Sequence, residues 1–129
     1  MNEKYATVVK RDDFVVYMDD FQADLLYRFG NEIIAYVNTH GTNPKKYHLH
    51  TILIINKDCE GIAVAFMISN RNDKDILKVF LESIKDKIGI ISPEILMSDM
   101  QSSFYNAFVE VMSPIGKWLW FTWYVYKKW

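Results

Sequence analysis

The residues best suited to chemistry in this chain lie where two apolar runs end. The first run, residues 33–37, is followed after Asn38 by a polar cluster of Thr39, His40, Gly41, Thr42 and Asn43. The second run, residues 95–97, is followed after one serine by Asp99. Junctions between a buried strand and a loop often carry functional side chains. A carboxylate and an imidazole placed there could bind a metal ion or transfer a proton.

Both residues also have a structural interpretation. Asp99 stands shortly before a predicted helix, where it could cap the helix or complement its dipole. His40 stands beside Gly41 and Asn43, a setting typical of a hydrogen-bonding turn residue. We therefore predict a structural role for His40, and we expect no metal to bind to Asp99 alone.

Two further candidates are a histidine pair and the cysteine. His48 and His50 would share one face of an extended strand, where they could hold a metal, but no third ligand is evident. We interpret them as solvated strand residues. Cys59 lies between Asp58 and Glu60, whose negative charges disfavour a thiolate, so we expect no reactive nucleophile.

Composition limits the possible partners. The net charge is −1 and the isoelectric point about 6.3, which argues against a dedicated nucleic-acid-binding protein. The lysine pairs at 45–46 and 127–128 could contact phosphates, but we expect any DNA binding to be weak. A single cysteine excludes an internal disulfide. With no signal peptide or membrane span evident, we predict a soluble intracellular protein of the nucleus or cytoplasm.

The apolar patterns predict which elements position these residues. The predicted order is a helix at 19–30, three strands between 31 and 70, a helix at 72–89, a strand at 93–99, a helix at 102–112 and a last strand from 117. A meander of three strands followed by alternating helices and strands indicates an α/β fold with a mixed sheet. No linker divides the chain, so residues 1–129 are interpreted as one domain with an N-terminal extension at 1–13.

The helical patterns also predict inward faces. In the first helix the predicted face consists of Phe21, Leu25, Leu26 and Phe29. In the second it consists of Leu77, Phe80, Leu81, Ile84 and Ile88, with Asn72 or Asp73 as the cap and Gly89 at the end. In the third it consists of Phe104, Ala107, Phe108 and Val111.

Four ordered segments, residues 39–43, 60–73, 95–108 and 119–129, together resemble the transposase domain of Mutator-like elements (the MULE transposase domain). The resemblance extends from about residue 14 to the end of the chain. It implies a ribonuclease H-like fold and an Asp-Asp-Glu triad that binds Mg²⁺ or Mn²⁺ and cuts or joins DNA strands. Two metal ions held by carboxylates would stabilise the attacking and leaving oxygens of that reaction.

The implied site is incomplete in this sequence. The family's first aspartate falls on Val37, the second is retained as Asp99, and the third acid, a glutamate, would lie beyond residue 129. The family's cysteine and histidine fall on Phe121 and Tyr124. We therefore expect a C-terminally truncated, catalytically inactive remnant that needs no cofactor. The alternatives are a metal-dependent enzyme completed by residues elsewhere, using Mg²⁺ or Mn²⁺, or a module that binds protein or DNA.

The C-terminal segment is rich in aromatic residues, including Trp118, Trp120, Trp123 and Trp129. A membrane-interface or base-stacking segment would have this composition. We instead interpret it as a sheet strand that a following helix would cover. Left uncovered, such a surface favours self-association.

Overall fold

The computed structural model of the protein describes residues 6–10, 14–40, 47–56, 58, 60–71, 73–98 and 103–120. Seven strands are described within these ranges: β1 (Ala6–Lys10), β2 (Phe14–Asp19), β3 (Ile33–His40), β4 (His48–Ile55), β5 (Gly61–Ser69), β6 (Ile95–Ser98) and β7 (Lys117–Trp120). The described helices are α1 (Asp20–Phe29), α2 (Lys74–Ile88) and α3 (Ser103–Val111).

All seven strands form one mixed sheet in the order β1-β2-β5-β4-β3-β6-β7. β3, β4 and β5 are antiparallel neighbours, whereas β6 runs parallel to β3 and β7 runs parallel to β6. This confirms the predicted mixed α/β fold. β1 and β2 were not predicted, and they extend the sheet beyond β5 as antiparallel strands. β1 lies within the predicted N-terminal extension.

The three helices cover one face of the sheet, which we call the covered face. Their buried side chains join the inward side chains of β2–β6 in a single hydrophobic cluster. From the strands this cluster includes Val16, Ile34, Ile52 and Met67, and from the helices it includes Leu26, Phe80 and Phe104. None of the described helices is long and apolar enough to cross a membrane.

The opposite face, which we call the open face, is contacted by none of the helices described. Because neighbouring strand residues point to opposite sides, Ala35 and Leu53 lie on this face, outside the cluster of the covered face. Both are nonetheless buried. Around them the open face presents exposed apolar side chains, namely Tyr17, Leu49, Ile68 and Leu119.

The second and third helices follow the predicted patterns. Asp73 caps α2 by accepting a hydrogen bond from the Asp75 backbone N–H at 3.2 Å. Gly89 ends the helix with a φ of 89°, a left-handed conformation that favours glycine. The predicted inward residues of α3 are all buried: Phe104, Ala107, Phe108 and Val111.

The predicted inward face of α1 is confirmed at Leu26, which is buried, and is wrong at Phe21 and Phe29. Phe21 is 70% exposed and Phe29 is 43% exposed, whereas the buried residues of this helix are Ala23 and Leu26. Two contacts of Gln22 explain the rotation of the helix. Its side chain completes a capping box with Asp19, and its Nε2 donates to the Ala63 carbonyl of β5 at 3.3 Å. These bonds turn Ala23 and Leu26 toward the sheet.

Candidate functional site

The candidate site lies where β3 and β6 end side by side. These two strands are parallel, and the carboxyl ends of adjacent parallel strands form a common edge at which α/β proteins often bind ligands. β3 ends at His40 and β6 ends at Ser98. Gly41, Thr42, Asn43 and Asp99 lie outside the described residues, so their predicted roles stay predictions.

Val37 occupies a middle position of β3 on the open face. It pairs with Thr51 of β4, and its side chain is partly buried. A valine offers no oxygen to a metal ion, and Mg²⁺ and Mn²⁺ prefer oxygen ligands. β3 therefore does not supply the carboxylate that a two-metal site requires at this position.

Thr39 and His40 complete β3. Thr39 is exposed and pairs with Leu49, while the His40 backbone pairs with His48. Both residues are thus paired strand residues of β3, two and three positions beyond Val37. Across the described residues, no group of three or more His, Cys, Asp or Glu side chains could hold a metal ion.

Asn38 points to the covered face, on the side opposite to Val37. It stands across from His50 in the β3–β4 register, and its side-chain oxygen is buried without a hydrogen-bond partner in the described structure. An amide oxygen is a neutral ligand and weaker than a carboxylate. Because it faces away from Val37, Asn38 does not replace the missing acid on the open face.

His50 is the buried polar residue that sequence analysis misjudged. It is fully buried rather than solvated, with Nδ1 2.6 Å from the Tyr36 hydroxyl and Nε2 3.0 Å from the Arg71 carbonyl oxygen. The carbonyl can only accept, so Nε2 carries the proton and Nδ1 accepts from Tyr36. With both nitrogens engaged, His50 is not available as a metal ligand.

The pKa of His50 is lowered to about 4, mainly by burial and in part by the nearby His48, against the opposing effect of the hydrogen bond to Arg71. The imidazole is therefore neutral at physiological pH. The sequence does contain a signal for this burial. His50 shares its strand face with Ile52 and Ile54, both of which are buried.

Contacts of aromatic side chains hold β3 against α3 and join β7 to the end of β6. The Tyr36 ring stacks on Phe104 at a centroid distance of 4.1 Å and an angle of 3°. The Trp118 indole stacks on Tyr105 at 4.5 Å, and its Nε1 donates to the Ser98 hydroxyl at 2.8 Å. The scaffold next to the candidate site is thus tightly held, up to the residue before Asp99.

Comparison with known proteins defines this chain at the level of its fold. No family model matches the sequence, and no curated protein matches it. Among solved structures, one similar chain belongs to the cryo-EM structure of the simian T-cell lymphotropic virus intasome in complex with PP2A regulatory subunit B56 gamma. The TM-score is 0.50 at 16% sequence identity, over 76% of this chain and 36% of that chain. The likeness shows a shared α/β fold, and the present chain spans about a third of its counterpart.

Proposed function

We propose that this chain is a transposase- or integrase-like DNA-recombination domain with a ribonuclease H-like fold, related to the Mutator-like family, that no longer cuts DNA. The sheet order supports the fold, because the meander β3–β5 is followed by β6 and β7, which are parallel to β3 and reached through helices. The likeness to a viral intasome chain supports it as well. Such a domain would meet DNA in the nucleus.

The observation that carries the proposed inactivity is the register of β3 and β6. Ala35 pairs with Met97 in this parallel pair. Val37 and Asp99 each stand two residues beyond these partners in the sequence. In the sequence, Val37 therefore stands as far beyond the last paired residues as Asp99 does, and it occupies the position where the Mutator-like family has its first aspartate.

One carboxylate is a poor basis for strand cleavage. Two divalent cations about 4 Å apart need several shared oxygen ligands, and they act by neutralising charge on the attacking and leaving oxygens. Removing one of the acids removes the bridging geometry as well as a negative charge. We therefore expect the domain to keep its scaffold without a metal-dependent reaction.

The test is a strand-cleavage and strand-transfer assay on DNA with Mg²⁺ or Mn²⁺. The unmodified chain should be inactive. Val37→Asp should create a Mn²⁺ site detectable by electron paramagnetic resonance, and the additional change Asp99→Ala should abolish it. Val15→Asp is the matched control, because Val15 is also partly buried and lies on the open face of β2, three strands from β3.

Activity of the unmodified chain that disappears on Asp99→Ala would overturn the proposed inactivity. It would favour an enzyme whose remaining ligands come from elsewhere. Equal Mn²⁺ binding by the Val37→Asp and Val15→Asp chains would overturn the proposed pairing of positions 37 and 99.

A second candidate function, a protein-binding module, is favoured by the open face. Apart from Asp19, which caps α1, its described side chains on β2–β6 are uncharged; they are Val15, Tyr17, Ile33, Ala35, Val37, Thr39, Leu49, Thr51, Leu53, Ile55, Ala63, Phe66, Ile68, Ile95 and Met97. Binding to a DNA backbone needs several cations, and among the described side chains β7 adds only one cation, Lys117, to this face, so the face suits an apolar segment of a protein partner instead.

The second candidate can be tested by affinity capture of protein partners, comparing the unmodified chain with the double variant Leu49→Lys/Ile68→Lys. Both residues are exposed on the open face. The double change should abolish capture. Glu82→Lys is the control, because Glu82 is exposed on α2, on the other side of the sheet. Binding that instead weakens with salt and survives the double change would count against this candidate.

A further inference from the structure

α1 carries an apolar stripe of which only the middle residue, Leu25, packs in part against the hydrophobic core of the described structure. It consists of Phe21, Leu25 and Phe29, which are spaced four residues apart and therefore lie about 6 Å apart along one side of the helix. Phe21 is 70% exposed, Phe29 is 43% exposed, and Leu25 is partly buried. Large aromatic side chains with this exposure are typical anchors of protein interfaces.

A different side of the helix packs on the sheet. That side consists of Ala23, Leu26 and Gly30, all of which are buried. A side chain at Gly30 would lie 2.9 Å from Cγ2 of Ile91, so the end of the helix packs closely against the segment that follows α2. Phe21 and Phe29 therefore remain exposed after α1 has made its contacts with the sheet, and Leu25 remains partly so.

The neighbouring helix does not cover the stripe. Lys87 of α2 forms an ion pair with Asp20 at 3.1 Å, and a cleft between the two helices is lined by Tyr27 and Ile88. On an α-helix, Asp20 and Tyr27 lie on the side away from Leu25 and Phe29. α2 thus flanks one side of α1 while the stripe faces another.

The stripe is complementary to itself. If two such helices pair antiparallel across a two-fold axis, Leu25 lies at the centre and Phe21 of each copy meets Phe29 of the other. An isologous contact of this kind needs no second type of surface. We propose that α1 is the interface of a homodimer formed by antiparallel pairing of these stripes.

The charges beside the stripe fit the same arrangement. Asp24 and Arg28 form an ion pair at 3.1 Å within the helix, and both side chains are more than half exposed. In the antiparallel pair, Asp24 of each copy lies close to Arg28 of the other, so attraction arises twice. A parallel arrangement would place like charges together. This complementarity selects a second copy of the chain as the occupant.

The expected dimer is weak. The helix has ten residues and is about 15 Å long, so the interface falls below the roughly 1,200 Å² of a standard stable complex. Association should therefore be reversible and visible only at high protein concentration.

The first test measures mass against protein concentration by sedimentation velocity. The unmodified chain should shift from monomer toward dimer, and Phe21→Glu should weaken association at least tenfold. Tyr27→Glu is the matched control, since Tyr27 has the same 70% exposure on the same helix but lies outside the stripe. Circular dichroism of each variant verifies that it is folded.

The second test exchanges the charges. Chains with Asp24→Arg alone or Arg28→Asp alone should each be monomeric, because like charges would then face each other. An equimolar mixture should form a heterodimer, since one copy contributes two arginines and the other two aspartates. The ion pair within the helix is broken in both chains, so a purely local role would not produce this recovery.

The outcomes that overturn the proposal are equally definite. It fails if the chain is monomeric at every concentration, if Phe21→Glu and Tyr27→Glu weaken association equally, or if the mixture does not associate. Loss of the dimer on Leu49→Lys/Ile68→Lys, with Phe21→Glu silent, would assign the interface to the open face instead.

Discussion

The two faces of the sheet differ in what the side chains of β3 do. On the covered face, Tyr36 and His50 are buried and hydrogen-bonded to each other, and Tyr36 stacks on Phe104 of α3. On the open face, the adjacent Val37 offers only methyl groups at the position where the proposed function would require an acid in an active enzyme. The contrast teaches that packing and chemistry are separable in this sheet. The described interactions of Tyr36 and His50 lie on one side, so the fold does not depend on an acid at position 37 on the other.

The largest expected effect on stability comes from truncating a large buried side chain on the covered face. Phe104 is 1% exposed and stacks on Tyr36, so Phe104→Ala should lower the free energy of unfolding by about 3–5 kcal/mol. Ile68→Ala, on the open face at 49% exposure, should cost only about 0.5 kcal/mol. Urea denaturation of the two variants measures the difference. Equal costs would mean that the open face is packed as firmly as the covered one.

The next effect concerns pH. The pKa of His50 is lowered to about 4 in the folded protein, so the unfolded chain takes up the proton first as pH falls. Stability from the neutral imidazole is therefore complete above about pH 6.5 and is lost toward pH 4, by roughly 3 kcal/mol. Urea denaturation between pH 7 and pH 4 should show this loss in the unmodified chain and a flatter profile in His50→Gln. Parallel profiles would contradict it.

The smallest effect lies at the start of α2. The Arg71 carbonyl accepts from His50, and the Arg71 guanidinium donates to Asp73 at 2.7 and 2.8 Å. Asp73→Ala should cost about 1 kcal/mol through loss of the helix cap, and Asp73→Asn, which still caps, should cost less. Thermal denaturation compares them, and identical losses would show that the charge matters more than the cap.

The stability that Asp73 contributes should also depend on pH. The hydrogen bond from Arg71 holds the pKa of the Asp73 carboxyl below its usual value. The stabilisation from the charged form is therefore present above the usual pKa and is lost as pH falls through the lowered one. Asp73→Asn should lack this dependence.

The sequence was informative where a pattern was local. In α2, apolar residues recur at helical spacing between an aspartate and a glycine, and both ends were predicted closely. The β4–β5 turn was also predicted, and Asn56 organises it by accepting from the Asp58 and Glu60 backbone N–H groups at 2.9 Å.

The sequence was misleading where contacts between distant segments determine which side chains are buried. The rotation of α1 depends on Gln22 reaching Ala63, 41 residues away, and hydrophobicity alone selected the larger Phe21 and Phe29 instead. The burial of His50 likewise depends on Tyr36 and Arg71, which approach it only when the sheet forms. β1 and β2 were missed because Val15 and Val16, neighbours on β2, make both of its faces apolar and hide the alternation of a strand.

The contact between Trp118 and Ser98 gives this protein an intrinsic optical reporter. The indole is stacked, partly buried and hydrogen-bonded to the residue immediately before Asp99. A change in charge or position at the end of β6 should therefore alter its fluorescence emission. With Trp120, Trp123 and Trp129 replaced by phenylalanine, a simple titration could follow events at Asp99 without any added label.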